Sequence, residues 1–286
     1  GDDYVDIRRI SLLSVSNSKM NRFFVLLAIG LASSRPRTIL IGVDGLVASC
    51  LVATPSIKWL RDHGSWTLRA RGNVEAISAP GWTSILCSLD PADTGIFSNV
   101  GRFFWDPEWK GPISPVDQRS RPVCLFEGLK TQRAGLRTAM FHDWVWLEGM
   151  GRKTGFVDEG QRCQGDLLRC DLKNTVHAMK LIQRKDFDLM FLYFQSLDNL
   201  GHHKGFCSKE YNSHLYTIDL LIGKILESLD SAGILAETTI MLVSDHGATP
   251  GTNRHAELND DNLFVPLIVT GPRSQPHRRL TANVHL

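Results

Sequence analysis

The sequence predicts an α/β protein with a mostly parallel central sheet and helices on both faces. Two observations carry that expectation. Short apolar, β-branched runs recur along the chain with helical periodicities between them, and such alternation places crossover helices over a parallel sheet. Several of the runs also end in polar residues, as strands do where a parallel sheet presents its carboxyl edge to a ligand.

The first run, Thr38–Val43 (TILIGV), ends at Asp44-Gly45 and reads as a buried strand that delivers a carboxylate into a turn. Thr54-Pro55 opens a helix reaching about His63, with proline at its first position and Thr54 as its cap. The strand pattern repeats at Leu136–His142, after the turn residue Gly135, and again at Asp188–Phe194, Thr239–Ser244 and Phe264–Thr270. Leu215, Ile218, Ile222, Ile225 and Leu229 share one face of a long helix that Gly233 closes. Two stretches break the alternation, about 100–122 with its aromatics and prolines and about 144–172 with its glycines and charges. Both read as loops or a small cap over the sheet edge.

The ends read differently. Met20, Arg22 and the apolar run Phe23–Ala32 resemble a secretory signal over residues 20–32, too short to cross a bilayer, with residues 1–19 as an upstream extension. The chain stops at Leu286 soon after its last strand, without a helix to finish the sheet, as a truncated chain would. One domain over residues 38–286 is expected. No other run reaches membrane-spanning length. Thirty-two Lys plus Arg against 30 Asp plus Glu leave a net charge of +2, with no basic stripe to track a phosphate backbone, so a nucleic-acid partner is excluded. The six cysteines lack zinc-module spacing and suit disulfides in a secreted protein, Cys163 with Cys170 foremost.

Chemistry concentrates at the strand ends. Asp44 ends the first strand, Asp198 follows the third strand, four residues after Phe194, Asp245-His246 ends the next, and His202 and His255 lie in the segments beyond. Three carboxylates and three imidazoles on one rim form an oxygen and nitrogen donor set suited to zinc or a similar divalent ion. The four-residue spacing of Asp198 and His202 lets both face one ion, with Gly201 as a tight turn between them; Gly247 supplies the irregular turn that Asp245-His246 needs. Within Ile77-Ser78-Ala79-Pro80-Gly81, Ser78 offers a hydroxyl that a metal activates as a nucleophile, unless the segment is a plain turn.

The order Asp44-Gly45, Thr54-Pro55, Ser78-x-Pro80-Gly81, Asp198-x-x-x-His202, Ser244-Asp245-His246-Gly247, His255 and Val265-Pro266-Leu267 resembles the alkaline phosphatase superfamily. It is nearest the type I phosphodiesterase/nucleotide pyrophosphatase branch, over about Thr38–Pro272. The resemblance implies an alkaline phosphatase-like fold and two divalent metal ions, mostly zinc in that family. Asp44, Ser78, Asp245 and His246 would hold one and Asp198, His202 and His255 the other, with His203 an alternative to His202. It implies attack by Ser78 on a small-molecule phosphoric ester, a covalent phosphoseryl intermediate and release by water. Where the family often has threonine this chain has serine, which makes Thr83 an alternative nucleophile. Many diesterases carry asparagine where Gly81 stands, and sulfatases carry arginine where Trp82 stands, which disfavours a sulfatase. The same resemblance admits a phosphate monoesterase, a phosphoethanolamine-type transferase or a non-catalytic relative.

Overall fold

The computed structural model describes residues 36–99, 123–150, 155–281 and 284–286; the readings made for residues 1–19, 20–32 and about 100–122 lie outside them. A strand apolar on both faces needs cover on both, and β1, Arg37–Val43, is buried along its whole length. Helix α1, Pro55–Asp62, starts at its proline and ends at His63. Strand β2, Gly64–Arg71, leads to α2, Ser78–Cys87, and the single turn α3, Pro91–Thr94. Then come α4, Leu125–Gln132, β3, Thr138–His142, α5, Val145–Met150, β4, Glu159–Arg162, and α6, Leu167–Arg184. Strand β5, Leu189–Phe194, passes directly into α7, Ser196–Lys204, and α8, Lys209–Ser231. Strand β6, Thr238–Val243, α9, Asp260–Leu263, β7, Phe264–Thr270, and the two-residue β8, Arg278–Arg279, follow.

The strands form an eight-stranded sheet in the order β4-β3-β5-β1-β6-β7-β2-β8. Neighbours from β4 to β6 pair in parallel, β7 runs antiparallel to β6 and β2, and β8 lies parallel to β2. Register brings Val43 beside Phe194 and Gly42 beside Val243, so β5, β1 and β6 end level with one another. That alignment gathers the site.

Alternation along each strand splits the core in two. Ile39, Ile41 and Val43 pack on one side with residues of α1, α6 and α8, whereas Leu40 packs on the other with Trp82, Ile85 and Leu86 of α2 and with Phe126 and Leu147. Helices therefore cover both faces, as the sequence predicts. All five expected strands form, and three more join them. β2 escapes the apolar-run criterion because its sequence, GSWTLRAR, carries arginines between its buried positions, and β4 because EGQR has no large apolar side chain. β4 changes the reading of 144–172: its described part builds a short helix, the sheet edge and the start of α6, where loops or a cap were expected. Among the described residues, no helix is long and apolar enough to cross a membrane.

All six cysteines pair, Cys50 with Cys207, Cys87 with Cys124 and Cys163 with Cys170. Thr54 stands at the N-cap of α1, yet its side chain makes no capping hydrogen bond. The cap comes from α8 instead. Both oxygens of the Asp219 carboxylate accept from the first turn, from Ser56 N–H at 3.0 Å and Ile57 N–H at 2.8 Å. Two backbone donors of α1 are satisfied across 160 residues of chain, which ties the α1 and α8 layers together. Asp219→Ala should cost about 1.5–3 kcal/mol of unfolding free energy in urea, the range for hydrogen bonds to a charged group. An unchanged midpoint would refute the role.

Candidate active site

Each site residue is delivered by the local fold. Asp44 follows β1, Asp245 and His246 follow β6, and Asp198 sits in the first turn of α7 just beyond β5. Ser78 is the first residue of α2, so the segment that also reads as a plain turn is a helix start. His255 precedes β7, and because β7 is reversed its beginning lies at the same rim as the ends of its parallel neighbours. All seven expected residues thus gather there. Ser78 Oγ lies 3.3 Å from His246 Nε2, and that nitrogen lies 3.4 Å from Asp44 Oδ1 and 3.3 Å from Asp245 Oδ2. His202 Nε2 is 3.3 Å from Asp198 Oδ2 and 3.1 Å from His255 Nε2.

The three imidazoles share one hydrogen-bonding habit. Nδ1 of His246 meets the Gly247 carbonyl at 3.0 Å, Nδ1 of His202 meets the Asn253 carbonyl at 2.9 Å, and Nδ1 of His255 meets the Ala76 carbonyl at 2.7 Å. A carbonyl only accepts, so each Nδ1 carries a proton and Nε2 of each ring faces the site, a donor where the ring is charged, as His202 is beside Asp198, and a free lone pair where it is neutral. His202 and His255 bring their Nε2 atoms within 3.1 Å of each other, which two bare lone pairs would not tolerate. That arrangement calls for a proton or a cation between them.

The carboxylates follow a matching pattern, one oxygen anchored and the other bare. Asp44 Oδ2 accepts from Trp82 Nε1 at 3.0 Å and from the Tyr193 hydroxyl, Asp245 Oδ1 accepts from Gly45 N–H at 3.3 Å, and Asp198 Oδ2 faces His202. Asp44 Oδ1, Asp198 Oδ1 and Asp245 Oδ2 are buried and make no hydrogen bond among the described residues. Leaving such oxygens unpaired is costly, and burying three carboxylates together is costlier. Burial and then the Asp198 charge push the Asp44 carboxyl up to about 6, and burial with Asp44 and Asp198 holds Asp245 well above the carboxylate range. Burial acts on Asp198 in the same direction, but the His202 hydrogen bond and the His246 charge bring it below its ordinary value. His202 is pushed up to about 9, foremost by its bond to Asp198; burial and then His246 push His255 down to about 4.

Bare oxygens and inward Nε2 atoms fit divalent cations. Asp198, His202 and His255 bring ligand atoms within 4.8 Å of one another, and so do Asp44, Asp198 and His246. Asp198 belongs to both groups, where the sequence assigned it to one. His203 is exposed, bonds the Asn199 carbonyl and lies in neither group. Thr83 gives its hydroxyl to the Ala79 carbonyl at 2.6 Å inside α2. The glycines also act otherwise than expected. Gly201 is helical, with Asp198 and His202 one turn apart, and a Cβ there would meet the Phe206 ring at 2.4 Å; one at Gly247 would meet the Asp261 carbonyl at 1.9 Å.

The family model for type I phosphodiesterase/nucleotide pyrophosphatase matches residues 38–269, nearly the whole described sheet and every residue of this site. The chain belongs to that family. Among curated relatives of this phosphodiesterase-family chain, rat ectonucleotide pyrophosphatase/phosphodiesterase family member 1 is 22% identical over 76% of the chain and 24% of its own length. The catalytic subunit of human GPI ethanolamine phosphate transferase 2 is 28% identical over 56% of the chain and 17% of its own length. The chain spans from about a quarter to about half the length of the first curated relatives it matches. Among solved structures, an inactive threonine-to-alanine variant of murine ectonucleotide pyrophosphatase/phosphodiesterase 5, in complex with AMP, superposes with a TM-score of 0.63 at 14% identity. That match covers 88% of this chain and 91% of the other. A sulfatase of Bacteroides fragilis, itself described as putative, gives 0.64 at 13%, covering 88% and 72%. These likenesses establish a shared fold.

No local pattern marks Asn99, Trp82 or Tyr193 as part of this phosphodiesterase-family site. Asn99 Oδ1 accepts from Ala79 N–H at 2.7 Å, which fixes the amide beside Ser78 from 20 residues away. The structure also makes a pH prediction for the metal-free protein. Asp44, Asp245 and His202 all have folded pKa values above their ordinary ones, so the stability they contribute is present at low pH and lost as pH rises through those values. His255, shifted down, has the opposite effect but only between its ordinary value of 6.5 and about 4. In chelator, the melting temperature should therefore fall from pH 6.5 to 9, and zinc loading should reverse the fall. A flat profile would contradict these electrostatics.

Proposed function

We propose that this protein is a metal-dependent hydrolase of phosphoric esters, with phosphodiesters or nucleotide pyrophosphates ahead of monoesters, acting through a phosphoseryl intermediate at Ser78. One observation carries the reading. Three histidines with Nδ1 committed to carbonyls and three carboxylates with one bare oxygen each share one rim with a serine hydroxyl that lies 3.3 Å from His246 Nε2. Asp44, Asp245 and His246 would hold one divalent ion beside Ser78, and Asp198, His202 and His255 the other. The mixed oxygen and nitrogen donors favour zinc. When bound, the ions supply Lewis-acid stabilisation of the attacking and leaving oxygens.

The chain's own residues do the rest. Ser78 Oγ, fixed at the first residue of a buried helix, attacks phosphorus in line; the ester P–O bond breaks, and the leaving oxygen departs as an alcohol or phosphate. The N-terminus of α2 favours the negative charge that accumulates there. Asn99, anchored through its Oδ1, uses its amide N–H to hold a non-bridging oxygen. Water then displaces the phosphoryl group from Ser78. The AMP complex and the inactive threonine variant of the murine relative support a hydroxyl nucleophile and a nucleotide-sized substrate. Three disulfides support action in an oxidising compartment, the secretory lumen or outside the cell. Likeness to the ethanolamine phosphate transferase supports a second reading, in which an alcohol acceptor takes the place of water.

The test compares bis-p-nitrophenyl phosphate with p-nitrophenyl phosphate, with and without an added alcohol. Turnover of the diester is expected to exceed that of the monoester; dominant capture by the alcohol would favour the transferase. Ser78→Ala should abolish turnover while the protein retains its metal, and full activity in that variant would remove Ser78 from its role. Asn99→Ala should lower kcat about 10²-fold or more, the usual loss for a donor to developing negative charge. A wild-type rate would show that Asn99 serves only the loop.

A further inference from the structure

Asp44 is held by two donors that converge on one oxygen. Trp82 Nε1, from α2, and the Tyr193 hydroxyl, from β5, both donate to Asp44 Oδ2. Among the described residues Oδ1 makes no hydrogen bond, and it stands 3.4 Å from His246 Nε2. Both aromatic side chains are fully buried and pack edge to face, with ring centroids 5.3 Å apart at 83°. Neither side chain can relax away.

A second observation, in the strand itself, points the same way. Glycine inside a buried strand weakens it and marks a close approach. Gly42 lies two residues before Asp44 in β1, and a Cβ there would fall 2.4 Å from Trp82 Cη2 and 2.8 Å from Phe191 Cε2. The strand gives up a side chain, and the indole occupies that space with its N–H directed at the carboxylate. A tryptophan that served only as core filling would need the space but not the direction of its N–H.

We propose that Trp82 and Tyr193 are positioning residues of the metal centre: together they occupy one oxygen of Asp44 and leave it a single-oxygen ligand of fixed direction. A free carboxylate can rotate or offer both oxygens to an ion. With Oδ2 doubly engaged, only Oδ1 remains to be offered, and it is already aimed along the His246 side of the site. Hydrogen-bonded partners of this kind orient metal ligands and tune them. The inference rests on the two-metal reading given above.

The experiment measures metal retention directly. Wild type, Tyr193→Phe, Trp82→Phe and, as a reference for loss of the ligand, Asp44→Asn are loaded with zinc and titrated with a chelator while bound metal is counted. Folding is checked by circular dichroism. Tyr193→Phe and Trp82→Phe should each release one of the two ions at about 10- to 100-fold lower chelator strength, the usual effect of losing such a partner. The same variants loaded with Co(II) should show an altered visible spectrum, which a purely structural loss would not produce in a folded protein. Tyr193→Phe removes one oxygen and keeps the ring contact, so it decides the question even if Trp82→Phe does not fold. Retention and spectrum indistinguishable from wild type in Tyr193→Phe would overturn the positioning role while leaving the two-metal reading intact. A wild type that binds no metal would sink both.

Discussion

Everything at the rim follows from the mutual repulsion of three carboxylates that the sheet forces together. β5, β1 and β6 are neighbours ending in register, so the residues just past them, Asp198, Asp44 and Asp245, have nowhere to go but toward one another. In a closely packed interior, three such groups oppose folding unless protons or cations neutralise them. The surrounding protein has answered on one side only. Backbone, indole, phenol and imidazole groups hold one oxygen of each acid, and the bare oxygens of Asp44 and Asp245 both lie beside His246 Nε2.

The loop architecture behind this arrangement is held as firmly as the ligands. The turn after β1 is fastened by the Tyr211 hydroxyl, which accepts from Val47 N–H at 3.2 Å and donates to the Gly45 carbonyl at 2.8 Å. Ser244 Oγ accepts from Leu46 N–H at 2.9 Å and donates to the His246 carbonyl at 2.8 Å, so the β1 and β6 turns are fastened to each other. The Cys50–Cys207 bridge joins the segment following β1 to the segment following α7. Preorganisation of this kind spares a site the cost of gathering its groups when a ligand arrives.

How much of this was legible depended on what each residue shares with its neighbours in sequence. Asp44 and Asp245 stood out because an apolar run ending in an acid has few other meanings, and Asp198 with His202 because their four-residue spacing suits one face, though of a helix and not of a turn. His255 was read at the rim from its place beyond the Thr239–Ser244 strand and assigned to an ion by the resemblance; its arrival there also depends on the reversal of β7, which no local pattern reports. Tyr193 was invisible as a donor because, inside an apolar strand, its periodicity equals that of phenylalanine. Asn99 looked like any loop asparagine, since its value comes from an amide 20 residues earlier that only the folded chain brings near. β4 and β2 lacked the run of large apolar residues that identified the central strands, as edge and near-edge strands often do.

Every residue of α2 is buried, from Ser78 to Cys87. The hydroxyl at its head is therefore mounted on a rod gripped on all sides, with no slack to swing toward a poorly seated guest. On the phosphoester-hydrolase reading such a mounting cannot follow a misplaced guest, so an ester held an ångström out of line would be bound and left uncut.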